Sequence, residues 1–360
     1  MPITDVRCHA MRAELHTPFV TALRRATAVE SVLVEVVDED GRSGWGEAPQ
    51  VWRVTGESME GAAACLSGPL RDVVLGADPD DLAARSHEIA AAVVGNLNAK
   101  CALDVALHDL AARRLGVPLA RLLGGTATSV PTDVTLSAAE PGELAATARA
   151  RVQDGFDVLK VKVGTKAGPA ADVAGVSAVR QAVGADVRIR LDANQGWTPR
   201  EAVRVIRALE DADLDVELVE QPVAAADLDG LSWVSDRVQT PILADESVYG
   251  VRDLVEVIRR RAADLVNVKL AKCGGLAPAR TLLDLADAYG IGTLVGSMME
   301  GPVGVGAAAS LVAARGTTLT SDLDAAWWLA GSPVVGGVSY DGSRLVLPQA
   351  PGLGVSGLKG

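Results

Sequence analysis

V-L-K-V-K at Val158–Lys162 and L-V-N-V-K at Leu265–Lys269 are short apolar segments, and each ends in a lysine. Three segments between them have the same form but end in a carboxylate, at Asp192, Glu220 and Asp245. All five are typical of buried β-strands with a charge at the carboxyl end. Weaker segments extend the series on both sides, with ends at Thr135, Ser297 and Asp322.

The eight segment ends recur at a nearly constant interval. They fall at positions 135, 162, 192, 220, 245, 269, 297 and 322, so successive intervals lie between 24 and 30 residues. A strand, a turn and a crossover helix take about this many residues, and residues 201–211 and 278–289 show helical periodicity between strands. The sequence therefore predicts an α/β fold with a TIM-like barrel. The period is that of a (β/α)8 barrel, and the form is (β/α)7β if no barrel helix follows the eighth strand.

The charged residues all lie at the end of the predicted barrel where catalytic groups of such barrels are found. A single charge at a strand end is usually a solvated loop residue, but five in register need another explanation. The second and sixth strands lie on opposite walls, so we expect Lys162 and Lys269 to face each other. Asp192, Glu220 and Asp245 should then lie on the arc between them.

Three neighbouring carboxylates need a cation or must be protonated, because an unpaired buried charge costs several kcal/mol. Ligation by oxygen atoms alone favours a hard divalent cation. We therefore expect Asp192, Glu220 and Asp245 to bind one Mg2+ per subunit, with Mn2+ as a substitute.

Two opposed amines beside a metal indicate proton transfer at a carbon atom. Loss of a proton next to a carboxylate leaves an enediolate, whose charge Mg2+ stabilises. Lys162 would take the proton on one face and Lys269 would return one on the other, which inverts the carbon. Lys160 lies two residues before Lys162, so both should face the barrel interior, and we expect its ammonium group to support the base by lowering its pKa.

Five motifs at these positions resemble the muconate lactonizing enzyme subgroup of the enolase superfamily, and the resemblance covers nearly the whole chain. They are K-V-K at 160–162, D-A-N at 192–194, V-E-Q-P at 219–222, A-D-E-S at 244–247 and V-K-L-A-K-C-G-G at 268–275. The resemblance implies the same metal and lysine chemistry as the residues themselves.

The D-L-D motif at 322–324 is similar to that of the dipeptide epimerases within this subgroup. There the paired aspartates hold the ammonium group of the first substrate residue, and Asp322 and Asp324 share a strand face that suits a cation. The segment T-P-F-V-T-A-L-R at 17–24 looks like the epimerase loop whose arginine, here Arg24, meets the side chain of the second residue. The resemblance implies epimerisation of the C-terminal residue of a dipeptide, with L-Ala-D/L-Glu as the family's commonest substrate.

Further residues are assigned by the same resemblance. Asn194 and Glu246 are expected beside the metal ligands. Substrate should be bordered by Thr135, Lys160, Ser297 and Met298. Trp327 and Trp328 depart from the small or aliphatic residues expected after D-L-D, which leaves the preferred dipeptide open.

Two other classes of function stay open. A lyase or cycloisomerase of the same subgroup, such as an o-succinylbenzoate synthase, or an N-acylamino acid racemase would share the lysines and the metal site. The D-L-D motif disfavours them, because an acyl group carries no cation. A binding or structural barrel without catalysis is disfavoured by the intact set of lysines and carboxylates.

Composition sets limits on partners and compartment. The 360 residues are 49% hydrophobic and carry a net charge of -12, which disfavours nucleic acid or an anionic membrane as a partner. The four cysteines have no paired spacing and the chain opens without a signal-peptide pattern, so we expect a cytoplasmic protein that binds a small molecule. The family resemblance implies a homo-oligomer.

The chain is longer than a barrel requires, so we expect a second domain. Residues 3–15 and 31–37 predict an antiparallel sheet, and residues 80–115 predict a helical tract. We therefore expect an α+β capping domain at 1–125, the barrel at 126–325 and a tail at 326–360 that returns to the cap. Loops at 17–25 and 47–56 are expected to cover the barrel mouth.

Overall fold

The computed structural model describes residues 2–22 and 25–359. Its first part is an antiparallel sheet in the order β1-β2-β3, with β1 (Ile3–Val20), β2 (Arg25–Asp38) and β3 (Ser43–Pro49). The central strand β2 is buried on both faces over Val32, Leu33 and Val34. Both predicted strands are present, and each is longer than expected.

Five helices follow the sheet, at α1 (Met59–Ser67), α2 (Pro69–Val74), α3 (Leu82–Ala92), α4 (Leu97–Leu115) and α5 (Leu119–Leu122). The helical tract predicted over residues 80–115 is present, and it consists of two separate helices, α3 and α4. Gly95 and Asn96 between them have φ angles of 65° and 52°. This left-handed conformation cannot continue a right-handed helix.

Helix α4 connects the first part of the molecule with the second. Its residues 98–112 are all buried, as expected of a helix packed on every side. A side chain at Gly44 or Gly46 of β3 would overlap the α4 backbone, so glycine permits the close approach of strand and helix. On the opposite side, the Asp104 carboxylate accepts a hydrogen bond from Leu276 N at 2.7 Å.

The second part is a curled parallel sheet of seven strands, in the order in which they follow one another along the chain. They are β5 (Val134–Leu136), β6 (Val158–Lys162), β7 (Arg188–Asp192), β8 (Val216–Glu220), β9 (Ile242–Ala244), β10 (Leu265–Lys269) and β11 (Gly292–Gly296), preceded by β4 (Ser129–Pro131). Lys162, Asp192 and Glu220 are register partners on adjacent strands. The predicted alignment of strand ends is thereby confirmed.

Helices cover the outside of this sheet between successive strands. They are α6 (Pro141–Gln153), α7 (Pro169–Val183), α8 (Pro199–Asp211), α9 (Leu228–Ser235), α10 (Val251–Arg260), α11 (Leu270–Cys273), α12 (Leu276–Ala288) and α13 (Pro302–Arg315). Helix α8 begins with a capping box between Thr198 and Glu201, the arrangement that satisfies free backbone N–H groups at a helix start. The TIM-like barrel predicted from the repeat is confirmed.

The eighth strand is reduced to two bridge pairs, in place of the full strand that the repeat predicted. Ser321 bridges Thr132, and Asp322 bridges Gly296, so the segment spans the gap between β11 and the start of β5. Beside the main-chain hydrogen bonds of these pairs, the Thr132 hydroxyl accepts a hydrogen bond from Leu323 N at 2.9 Å. The result is a closed barrel with an irregular seam.

The chain after the barrel returns to helix α4. A 3-10 helix at Ala325–Trp328 is followed by β12 (Val334–Gly336), β13 (Ser339–Asp341), β14 (Arg344–Val346) and β15 (Val355–Leu358). Leu353 N donates to Asp109 Oδ1 of α4 at 2.5 Å. All four cysteines are free thiols, and none of the helices in residues 2–22 and 25–359 is long and apolar enough to cross a membrane.

Candidate active site

A cavity at the carboxyl ends of the barrel strands collects most of the predicted site residues. Lys162 on β6 and Lys269 on β10 line it from strands separated by three others, as predicted. The cap contributes Phe19, Thr21 and Val54 to the same cavity. Its remaining lining residues are Thr135, Lys160, Asn194, Asp245, Glu246, Ser297, Met298, Met299, Asp322, Asp324 and Ala325.

Each lysine of the opposed pair contacts a carboxylate on a neighbouring strand. Lys162 Nζ donates to Asp192 Oδ2 at 2.5 Å, and Lys269 Nζ donates to Asp245 Oδ2 at 2.8 Å. Burial alone would lower the pKa of Lys269, but the charges of Asp245 and Glu220 outweigh it and raise that pKa. Lys269 is therefore an ammonium group in this arrangement.

Lys160 has partners that the sequence did not suggest. Its Nζ donates to Asp322 Oδ2, and it lies 3.6 Å from Glu220 Oε2. Burial opposes its charge, but Asp322 and Glu220 raise the pKa of Lys160 well above its ordinary value. Two carboxylates thus hold its ammonium group, and one of them, Asp322, was predicted to bind substrate.

The three predicted metal ligands lie on adjacent strands, and each has a partner. Besides the lysine contacts, Asn267 Nδ2 donates to Glu220 Oε1 at 2.7 Å. Lys272 Nζ donates to Asp245 Oδ1 at 2.6 Å. Within residues 2–22 and 25–359, no group of three or more His, Cys, Asp or Glu side chains stands in a metal-binding arrangement. Instead, the carboxylate oxygens accept hydrogen bonds from lysine and asparagine nitrogens.

Among the described residues that line the cavity, two have a buried oxygen atom beside these carboxylates without a hydrogen-bond partner. They are Asn194 Oδ1 and Glu246 Oε2, and both residues line the cavity. Unpaired buried oxygens are costly unless a cation or a proton meets them. Burial, with the charges of Asp245 and Asp192, raises the pKa of Glu246 to about 8. This donor set of oxygens and excess negative charge suits a hard divalent cation.

The aspartate pair on the seam lies beside β5. Asp324 Oδ2 accepts from Thr135 N at 2.7 Å and from the indole Nε1 of Trp328 at 3.0 Å. Burial raises the pKa of Asp324, and the neighbouring charge of Asp322 adds to the effect. Both carboxylates are buried at the cavity wall, where a second cation would relieve their repulsion.

The other substrate residues predicted from the sequence divide into two groups. Ser297 and Met298 line the cavity, and the Ser297 hydroxyl donates to the Asp322 carbonyl at 3.3 Å. Arg24 lies outside the described residues, so its predicted contact with a substrate side chain stays a prediction. The assignment of roles to all of these residues is likewise a prediction.

Three residues that hold the carboxylates of the site were given no role from the sequence. Lys272 and Asn267 hold Asp245 and Glu220, and Trp328 holds Asp324. The strand pattern could have suggested Asn267, because it lies two residues before Lys269 and faces the same side. Lys272 lies in the V-K-L-A-K-C-G-G motif and Trp328 follows D-L-D, but the motifs do not show where these side chains point, because that depends on short helices that follow the strands.

Comparison with known families gives two matches. Residues 143–357 match the enolase C-terminal domain-like family, and residues 3–124 match the mandelate racemase/muconate lactonizing enzyme N-terminal domain. The L-Ala-D/L-Glu epimerase of Bacillus subtilis is 42% identical, with 99% of this chain and 97% of that protein covered. The hydrophobic dipeptide epimerase of Enterococcus faecalis is 40% identical over 99% and 100%. The N-succinyl-L-Arg/Lys racemase of Bacillus cereus is 32% identical over 99% and 95%.

Solved structures agree with these relatives. The substrate-liganded complex of the Bacillus subtilis enzyme superposes with a TM-score of 0.96 at 42% identity, and both chains are fully covered. The Enterococcus faecalis dipeptide epimerase, complexed with Mg and L-Leu-L-Tyr, superposes with a TM-score of 0.94 at 39% identity. The comparison covers 99% of this chain and 100% of that one.

Proposed function

This chain belongs to the enolase superfamily, in its mandelate racemase/muconate lactonizing enzyme branch, and we propose that it is a Mg2+-dependent dipeptide epimerase. Its relatives are named epimerases and racemases, so the chain is an isomerase. One observation carries the proposal: an aspartate pair and two opposed lysines line a single cavity. The pair suits an ammonium group, and the lysines suit proton transfer.

The proposed substrate is bound by charge at its amino end. Asp322 and Asp324 would hold the ammonium group of the first residue through charge-assisted hydrogen bonds. The α-carbon of the second residue would then lie between Lys162 and Lys269. Lys162 would remove the α-proton on one face, and Lys269 would donate a proton on the other, so that each is base for one epimer and acid for the other.

The proposed metal ligands are Asp192, Glu220 and Asp245, with Asn194 and Glu246 beside them. The partnerless oxygens of the last two, and the surplus of carboxylates, support this assignment. Binding of the cation would require the lysines to exchange their carboxylate partners. When bound, Mg2+ supplies positive charge that stabilises the enediolate oxygens.

The lysine contacts explain how the bases would be tuned. Asp245 and Glu220 now raise the pKa of Lys269. Neutralising these carboxylates would remove that effect, and burial would then lower the pKa toward the range in which a lysine acts as a base. The lysines are paired with carboxylates in the structure, and they would have to separate from them in order to act as bases.

The cap would complete the site. Phe19, Thr21 and Val54 line the cavity from the capping sheet and the loop after it, and would exclude water from the reacting carbon. For the second residue we propose glutamate, as in the relative from Bacillus subtilis, with Arg24 to meet its carboxylate. An apolar second residue, as in the relative from Enterococcus faecalis, would remove the need for that arginine.

The experiment that tests the proposal follows the α-proton in D2O. Wild-type protein with Mg2+ should incorporate deuterium into both epimers, L-Ala-L-Glu and L-Ala-D-Glu, and should interconvert them. Lys269→Ala should abolish interconversion but retain exchange for the one epimer whose proton faces Lys162. Lys162→Ala should retain exchange for the other epimer. A positioned base contributes roughly a hundredfold to ten-thousandfold, so the contrast is measurable by mass spectrometry.

Lys166→Ala is the matched control, because this exposed lysine lies on the loop after β6. It should behave as the wild type does. If either cavity variant exchanges both epimers at similar rates, the two-base assignment is wrong. A wild type that exchanges no dipeptide but racemises N-succinyl amino acids would favour the racemase alternative over a dipeptide epimerase.

A further inference from the structure

Asp324 presents its two carboxylate oxygens in different ways. Oδ2 accepts two hydrogen bonds from fixed donors, Thr135 N and the indole Nε1 of Trp328. No hydrogen bond from the described residues reaches Oδ1, although Asp324 lines the cavity. One oxygen thus anchors the group, and the other remains for a ligand.

Trp328 is itself held by the capping strand β1. Its ring stacks on His16 with centroids 5.5 Å apart and planes within 14°, and it meets the Phe19 ring edge-on at 5.4 Å. Main-chain pairing adds to these contacts, since Leu15 bridges Leu329. The indole that anchors Asp324 is therefore fixed by the cap and not by the barrel alone.

Phe19 extends the contact toward the reacting lysine. It lines the cavity, and Lys162 Nζ lies 5.7 Å from the centre of its ring. A single strand of the cap thus contacts both the anchor of the aspartate pair and one of the opposed lysines. A shift of β1 would change both ends of the substrate site together.

We propose that Trp328 is a positioning residue for the substrate ammonium group: its indole N–H fixes Asp324 through Oδ2, leaves Oδ1 for the ammonium, and ties that carboxylate to the cap through His16. This inference rests on the proposed function. The tryptophan stands where a small or aliphatic side chain is expected, and such a side chain could not donate this hydrogen bond. The indole acts on the carboxylate and does not touch the reacting carbon.

The test compares a dipeptide with an analogue that lacks the amino group. L-Ala-L-Glu and N-propionyl-L-Glu differ only in the ammonium, so the ratio of their kcat/KM values measures its recognition. Trp328→Phe keeps a ring in place but removes the N–H donor. We expect the ratio to fall about tenfold, because a hydrogen bond to a charged group is lost, and the fall should appear mainly in the KM of the dipeptide.

Trp327→Phe is the matched control. Trp327 belongs to the same aromatic cluster, because its ring meets His16, Phe156 and Trp328 edge-on and lies under the Arg151 guanidinium. Its indole N–H has no hydrogen-bond partner in residues 2–22 and 25–359, so Trp327→Phe alters the packing of the cluster without removing a bond to Asp324. The ratio should stay at the wild-type value in this variant, while general damage to packing would lower kcat/KM for both substrates equally. His16→Ala removes the stacked ring without altering the cavity lining, and it should lower the ratio by a smaller factor. If Trp328→Phe does not fold, the His16→Ala variant tests the inference in its place.

The wild-type measurement separates this inference from the proposed function. If the wild type processes N-propionyl-L-Glu as fast as L-Ala-L-Glu, ammonium recognition fails, and the proposed function fails with it. If the wild type discriminates, but Trp328→Phe and His16→Ala discriminate equally well, the inference about Trp328 is overturned and the proposed function stands.

Discussion

Asp322 is the carboxylate on which the proposed substrate and Lys160 converge. Burial alone would raise the pKa of Asp322, but the charges of Lys160 and Lys269 outweigh it and lower that pKa. We expect Asp322→Asn to lower kcat/KM for L-Ala-L-Glu roughly tenfold to a hundredfold, because a charge-assisted contact of about 1.5 to 3 kcal/mol is lost. N-acetyl-L-Ala-L-Glu, which lacks the ammonium group, should be a poor substrate for the wild type. An equal loss on both substrates would contradict ammonium binding at Asp322.

Asp245 is the predicted metal ligand at which Mg2+ binding can be tested. Excess EDTA should abolish turnover, and Mg2+ should raise the unfolding temperature of the wild type, since binding at a hundred times Kd stabilises by about 2.7 kcal/mol. Asp245→Asn removes one charged oxygen, so we expect it to weaken this thermal shift. Asp229→Asn, at an exposed position on α9, is the control. Full activity in excess EDTA would show that the carboxylate cluster does not need a metal.

Residues at the carboxyl ends of strands could be placed from the sequence, but the contacts of side chains on the short helices that follow the strands could not. Lys162, Asp192 and Glu220 are aligned by the hydrogen bonds of a parallel sheet, so their spacing in the sequence already implied that they lie together. Trp328 reaches Asp324 only because a 3-10 helix follows the D-L-D motif. The lysine–carboxylate contacts could not be predicted for another reason. The spacing of the strands shows which charged residues lie together, but it does not show which lysine binds which carboxylate.

The barrel seam is the element at which prediction and structure differ most. A constant repeat predicted eight equal strands, but among the described residues the eighth forms bridge pairs only at Ser321 and Asp322, with one further main-chain hydrogen bond from Leu319 N to the Thr293 carbonyl. The buried Arg190 on β7 spans this weak point: Nη1 donates to Asp133 Oδ2 at 3.1 Å and to the Thr320 carbonyl at 2.6 Å. A long side chain inside the barrel thus supplies contacts that a full strand would have made with its backbone.

We therefore expect Arg190→Met to destabilise the fold strongly. Removing it leaves the buried Asp133 carboxylate without its cation, which typically costs about 3 to 5 kcal/mol of unfolding free energy. Arg188→Met is a matched control on the same strand, because Arg188 is 43% exposed and pairs with Asp157. Its effect should be at most about 1 kcal/mol. Urea unfolding of the two variants measures both, and equal midpoints would contradict a closing role for Arg190.

At the scale of the whole molecule, cap and barrel meet at two buried glutamates. Glu47 on β3 accepts hydrogen bonds from Gly301 N at 2.6 Å and Gly304 N at 3.0 Å, so a cap residue binds the start of helix α13. Glu300 lies just before that helix and accepts from Met298 N at 3.1 Å. The two family matches cover the parts of the chain on either side of this junction. The domain limits at 125 and 325, the homo-oligomeric state and the cytoplasmic location stay predictions.

This junction should make the stability of the whole protein depend on pH. Burial raises the pKa of Glu300 to about 8, from an ordinary value of 4.5, and the charge of Glu47 adds to the rise. The folded protein therefore binds more protons than the unfolded chain between these values. Its unfolding free energy should fall as pH rises from about 4.5 to about 8, by at most about 1.4 kcal/mol per pH unit from this one group.

Glu300→Gln tests the dependence directly, because an amide cannot ionise. The unfolding temperature of the wild type should decline between pH 5 and pH 8, and the decline should be shallower in Glu300→Gln, with the two curves separating most at the alkaline end. The same substitution at the exposed Glu39 should leave the wild-type slope unchanged. Parallel curves for the wild type and Glu300→Gln would mean that Glu300 is ionised throughout, and that the cap and barrel hold a charged carboxylate at their junction.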